Sequence, residues 1–132
     1  MKALANTLNP ITAKHGEIKP STVSFTSVEH LARCLSVDAS TILDLMGIPQ
    51  RTRSRRRQDG ILKADEADRL LRIARVFSEA IRVFGSEEKA RLWLKTPTPL
   101  FEDSAPLTWL DSDGGAHAVS EELVRIDFGD FA

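Results

Sequence analysis

The stretch from Ile61 to Phe84, ILKADEADRLLRIARVFSEAIRVF, constrains the chain more than any other part of it. Ala67, Leu70, Leu71, Ala74, Phe77, Ile81 and Phe84 recur at helical spacing, and Ile73, Val76, Ala80 and Val83 widen the stripe. A helix that is apolar over more than half its circumference has to be covered from several sides, so neighbouring segments must supply helices against it. Asp65, Glu66 and Asp68 stand in its first turn, where the helix dipole favours anions, and Gly85 permits a left-handed stop.

The flanking segments carry the same period. Val28, Leu31, Ala32 and Leu35 predict a helix over residues 27–36 with Ser27 at its cap. Asp38 or Ser40 can open a second short helix bearing Ile42, Leu43, Leu45 and Met46, which stops at Gly47. Pro49 then suits the first position of a third helix, running to about Gln58 before Asp59-Gly60 ends it. Downstream, Ser86 caps SEEKARLWL, whose Ala90, Trp93 and Leu94 face inward, until Pro97 and Pro99 forbid continuation. Ser104 starts a short turn through Pro106, Leu107, Trp109 and Leu110; DSDGG breaks the chain, and Ala116, Val119, Leu123 and Ile126 trace a last helix. The expected fold is all-α: an N-terminal helix-turn-helix, a long helix and a small C-terminal helical domain. Residues 1–24, with Pro10, Pro20 and no periodicity, read as a flexible arm; residues 25–60 and 61–132 are the two folded regions.

Two short helices joined by a glycine-containing turn form a unit whose second helix enters the major groove of DNA. In this chain the second helix holds RTRSRRRQDG, with five arginines in seven positions. Arg51, Ser54 and Arg55 share one side, while Gln50, Thr52, Arg53 and Arg56 spread over an adjacent arc, leaving Ile48, Pro49 and arginine stems as the means of packing. Arginine supplies bidentate contacts to guanine and to phosphate, although a basic run can also be a solvated face. The net charge of -1 hides a polarity: residues 1–101 hold 17 basic and 11 acidic side chains, whereas residues 102–132 hold Arg125 against eight acids. The basic part suits nucleic acid and the acidic part repels it.

Other chemistry is not expected. DSDGG begins like a calcium loop, but Gly114 and Gly115 occupy positions that need ligands, and a turn is the better reading. His15, His30 and His117 are isolated from one another and from Cys34, which leaves no zinc spacing and no nucleophile–base pair. No catalytic residue, metal or cofactor is therefore assigned, and Cys34 reads as a small core residue. Trp93 and Trp109 suit either the core or an interface. A single cysteine, the lack of an apolar run near 18 residues and Asn6 and Asn9 in the opening stretch argue against secretion and membrane spanning, so a bacterial cytoplasm is the expected compartment.

The pieces VFGSEEKARLWLKTP, SAPLTWLDSDGGA and LVRIDFGDFA together resemble the toxin-binding domain of the Xre/MbcA/ParS antitoxins. Upstream, TILDLMGIPQRTRSRRRQDGILKADEADRL is similar to that family's helix-turn-helix, with Arg51, Thr52, Arg55 and Arg56 at its recognition-helix positions. Arg53 departs from the family's apolar residue, Lys63-Ala64 replaces its usual cap, and LFEDS stands where a glycine-containing loop is common. The resemblance implies a partner, a RES-domain toxin that hydrolyses NAD or transfers its ADP-ribose, and repression of the antitoxin's own operon. The terminus that covers the toxin's NAD pocket would be Ile126, Asp127, Phe128, Gly129, Asp130, Phe131 and Ala132. Two phenylalanines and a glycine at a free end can fill a pocket, while Asp127, Asp130 and the terminal carboxylate can meet cations that bind dinucleotide phosphates. The DNA-binding set would be Gln50, Arg51, Thr52, Arg53, Ser54, Arg55, Arg56 and Arg57, presented by a homodimer on a two-fold operator. A stand-alone regulator whose C-terminal helices only dimerise is the alternative.

Overall fold

The computed structural model describes residues 22–129, which are helical with two isolated bridges and no strand among them. In chain order they form α1 (Thr26–Leu35), α2 (Ala39–Leu45), α3 (Gln50–Asp59), α4 (Ala64–Phe84), α5 (Glu87–Lys95), the 3₁₀ turns η1 (Pro99–Phe101) and η2 (Pro106–Asp111), and α6 (Asp113–Gly129). The chain divides into two compact units, one reaching to Leu71 and the other starting at Arg72, so α4 contributes to both.

In the first unit α1 buries Val28, Leu31, Ala32 and Leu35 and packs on α2, which buries Ile42, Leu43 and Leu45. Each fully buried Val, Leu or Ile among them contributes roughly 1.5–3 kcal/mol. Helix α1 begins one residue earlier than its apolar period implies, so Ser27 lies inside the helix and is buried, with no capping bond. Its end at Ser36 is left-handed (φ 56°), and the Val37 N–H donates to the Ala32 carbonyl at 2.9 Å. The segment before α1 is laced to the segment after α3: Phe25 N–H donates to Gly60 O and Leu62 N–H to Val23 O, both at 2.9 Å. Val23 and Phe25 are thereby drawn into the core, so residues 22–24 belong to the folded unit. The rest of the expected arm, residues 1–21, lies outside the described residues.

The turn between α2 and α3 follows from one glycine. Gly47 takes φ 70°, its N–H reaches Asp44 O at 3.0 Å, and Ile48 N–H reaches Leu43 O at 3.1 Å while its side chain enters the core. Pro49 is extended and stands just outside α3, one position before the helical site expected for it.

In the second unit the Ser86 hydroxyl caps α5 by accepting from Lys89 N–H at 3.1 Å. Four aromatic rings run in contact, Phe84 to Trp93 (5.6 Å between centroids), Trp93 to Phe101 (6.3 Å) and Phe101 to Trp109 (5.0 Å). Both tryptophans are thus half-buried packing residues, and Trp109 Nε1–H donates to the Ser104 hydroxyl at 2.9 Å. The loop joining η1 to η2 turns through Glu102 and Asp103, both left-handed at φ 56° and 63°, with Asp103 N–H bonded to Thr98 O.

Helix α6 starts at Asp113, so DSDGG breaks the chain only as far as Ser112, and both its glycines are helical. The Ser112 hydroxyl accepts from Gly115 N–H at 3.0 Å, and Arg72 ties this corner to α4 by donating to Leu110 O at 3.2 Å and to Asp113 at 2.8 Å. A methyl group added at Gly115 would overlap the Trp109 backbone carbonyl. Gly115→Ala is accordingly expected to cost about 1–3 kcal/mol, the range for forcing atoms into a packed site. Urea unfolding followed by tryptophan fluorescence, which reports on the second unit alone because both tryptophans lie there, should show that loss; Gly114→Ala, with open space at its Cβ, should not.

Candidate functional site

Helix α3 has almost no apolar surface, and the structure shows what docks it. Arg53 and Arg56, one turn apart, are 8% and 5% exposed and point into the first unit. Arg53 Nε–H donates to Ile48 O at 2.9 Å and its Nη2 to Asp44 at 2.5 Å, while Nη1 is buried without an acceptor. Arg56 Nε–H donates to Glu66 at 2.7 Å and its Nη1 to Asp59 at 3.1 Å. Glu66 is itself buried and also accepts the Lys63 backbone N–H at 2.9 Å. The hydrogen bond to Glu66 outweighs the opposing effect of burial and holds the Arg56 guanidinium above the ordinary arginine range. Arg57 lies over the Phe25 ring at 5.1 Å.

Of the eight residues expected on the DNA-facing surface, Arg53 and Arg56 are therefore turned inward and spent on packing. Gln50, Arg51, Ser54, Arg55 and Arg57 are exposed and Thr52 is half-buried. The three-residue spacing of Arg53 and Arg56, which puts them on one side of α3, was the available signal; their charge masked it, because arginine is seldom fully buried. Lys63 was noted in the sequence only as a replaced cap and Arg69 not at all, yet both line a concavity of about 710 Å³ together with Arg51, Thr52 and Arg55.

In the second unit α6 turns Ala116, Val119 and Leu123 inward and keeps its helical form to Gly129. Ile126 and Asp127 are half-buried, and Asp127 accepts from Arg82 Nη1 at 3.3 Å, which anchors the last turn to α4. Phe128 is 72% exposed, and Val124, one turn before it on the same face, is 43% exposed. The expected terminal segment is thus divided: two residues face its own unit and one aromatic ring faces out. Asp130, Phe131 and Ala132 lie outside the described residues. No group of side chains able to hold a metal ion occurs among the described residues, and no helix there is long and apolar enough to cross a membrane.

Residues 18–75 match the antitoxin Xre-like helix-turn-helix domain, and residues 79–129 match the antitoxin Xre/MbcA/ParS C-terminal toxin-binding domain. A protein of Yersinia enterocolitica named antitoxin Xre is 33% identical over 99 residues, which span 74% of this chain and 67% of that protein. One of Photorhabdus laumondii with the same name is 33% identical over 106 residues, 79% of this chain and 72% of that protein. The chain belongs to the Xre antitoxin family. A third antitoxin Xre, of Pseudomonas putida, is 40% identical over 83 residues, 62% of this chain and 52% of its own length. Within this Xre-family chain the helix-turn-helix domain contains the first-unit concavity and the toxin-binding domain contains α6 through its last described turn.

The two inward arginines differ in what their removal leaves behind. Arg56→Met strands the buried Glu66 carboxylate and should lower stability by about 3–5 kcal/mol. Arg53→Met removes an Nη1 that has no acceptor and frees an Asp44 that is already exposed, but it takes the Nε donor from the Ile48 carbonyl, so its loss should be smaller, about 1–3 kcal/mol. Chemical unfolding followed by circular dichroism would check the contrast, and equal losses in the two variants would refute it.

Proposed function

We propose that this chain neutralises an NAD-consuming RES-domain toxin by placing its C-terminal segment over the toxin's active site, and represses its own operon through α3. The observation that carries the first half is Phe128: an aromatic ring held out at 72% exposure by a helix whose preceding residue, Asp127, is tied to Arg82 of the same unit. A large apolar side chain projecting from an otherwise acidic end is costly to leave in water and well suited to anchoring in a partner's pocket. The acids that flank it in the sequence, Asp127 and Asp130, suit a cavity whose cations bind the phosphates of a dinucleotide. Ligands of this kind act by occupying the site, and the antitoxin itself performs no chemistry.

For the second half, support comes from the charges that α3 leaves outside. Arg51 and Arg55 are exposed and form no ion pair among the described residues, whereas the inward arginines are neutralised. Paired recognition helices on a two-fold operator imply a homodimer as the DNA-binding form.

Deleting residues 128–132 should abolish rescue of cells expressing the adjacent toxin and leave operator binding intact. Undiminished rescue would instead favour a stand-alone regulator whose C-terminal helices serve only to dimerise. Arg51→Ala and Arg55→Ala should each flatten the salt dependence of operator binding by about one slope unit for each lost phosphate contact, read by gel shift at several salt concentrations.

A further inference from the structure

We propose that Lys63, at the start of α4, completes a phosphate site with Arg51 and Arg55, and that this site takes a backbone phosphate of duplex DNA. The inference rests on the DNA-binding reading of α3 and extends it to a residue outside that helix. The concavity of about 710 Å³ is lined by α3, the turn before it and the first turns of α4, all within the first unit. Five cations and three carboxylates face it. The carboxylates are already engaged: Glu66 and Asp59 hold Arg56 at 2.7 and 3.1 Å, and Asp65 stands 3.8 Å from Arg69. Arg69 also donates to the Met46 carbonyl at 3.1 Å, closing the end of α2. What remains is Arg51, Arg55 and Lys63, all exposed and with no carboxylate partner among the described residues. Positive charge in this hollow is in excess, and it is not consumed by the fold.

Lys63 adds a second observation. Its carbonyl accepts the Ala67 N–H at 2.9 Å and its own N–H donates to Glu66 at 2.9 Å, which puts it at the cap of α4. Serine, threonine, asparagine or aspartate would cap that position, whereas a cation opposes the positive end of the helix dipole. The half of the capping arrangement made by Glu66 is retained, and the half a short polar side chain would make is given up for an ammonium group that bonds to nothing in the unit. A phosphate seated between Lys63 and the two arginines removes the conflict, because it accepts from all three cations and is favoured at a helix N-terminus.

The test uses the full chain, a duplex carrying the promoter of its own operon and a scrambled duplex, with affinity measured by fluorescence anisotropy over a range of salt concentrations. Lys63→Gln, which disturbs no side-chain bond, should flatten the slope of log affinity against log salt by about one unit and weaken both duplexes by the same factor. Lys63→Arg should restore the slope. An unchanged slope in Lys63→Gln overturns the inference while leaving DNA binding by α3 standing, and so does a loss confined to the promoter duplex, which would mean base reading. If Lys63→Gln instead loosens binding of ADP without altering the duplex slope, the site serves a free phosphate ligand and the DNA assignment falls. Absence of salt-dependent binding to either duplex in the unaltered chain removes the reading of α3 and this inference together.

Discussion

The ion pair between Arg56 and Glu66 decides how the first unit is put together. A helix as polar as α3 has no hydrophobic reason to stay on a core, and two buried charges on neighbouring helices supply one that is directional. Buried pairs seldom add net stability over apolar packing of the same volume, but each partner makes loss of the other costly. Here Glu66 does two things at once, pairing with Arg56 and accepting the Lys63 N–H that opens α4. The start of the long helix and the buried ion pair that holds α3 against it therefore share a single carboxylate.

This arrangement separates roles within one run of like charges. Arg53 and Arg56 behave as core residues with charged heads, while Arg51 and Arg55 keep their charge for solvent or ligand. The second unit shows a similar division over fewer residues: Asp127 is tied to Arg82 and Phe128 is left free. In both places a side chain fixed to the fold sits next to one that is presented, so the presented group has a defined direction without a loop to hold it.

Much of this was legible in the residues. The period of α1, α2, α4 and α5 follows from apolar spacing, and Gly47, Gly60 and Gly85 mark the left-handed positions where α2, α3 and α4 stop. The N-terminus of α6 was not legible, because Gly114 and Gly115 read as breakers when no neighbour is in view. Gly115 stands inside the helix because the Trp109 carbonyl leaves no room for a side chain there, a tertiary reason invisible to local propensity. The left-handed pair Glu102-Asp103 is similar: neither residue advertises that conformation, and Thr98 and Ser104 impose it by closing the loop with backbone bonds. At the candidate sites, composition found the arginines and the acidic end, but direction could not be read without partners. Arg53 and Arg56 are distinguished from Arg51 and Arg55 by Asp44, Asp59 and Glu66, nine, three and ten residues away in the chain, and by the Ile48 carbonyl that Arg53 reaches.

Helix α6 is already formed to Gly129, which has a kinetic consequence. A segment that is coil before it binds must be ordered during the encounter, and that ordering slows capture and weakens it. A prebuilt helix has only to collide in the right orientation, so capture is limited by diffusion and the size of the docking patch, with complex lifetime left to the fit of the anchor. On the proposed reading, the turn that bears Phe128 is held ready for the toxin, and the speed of response is set by the protein's concentration.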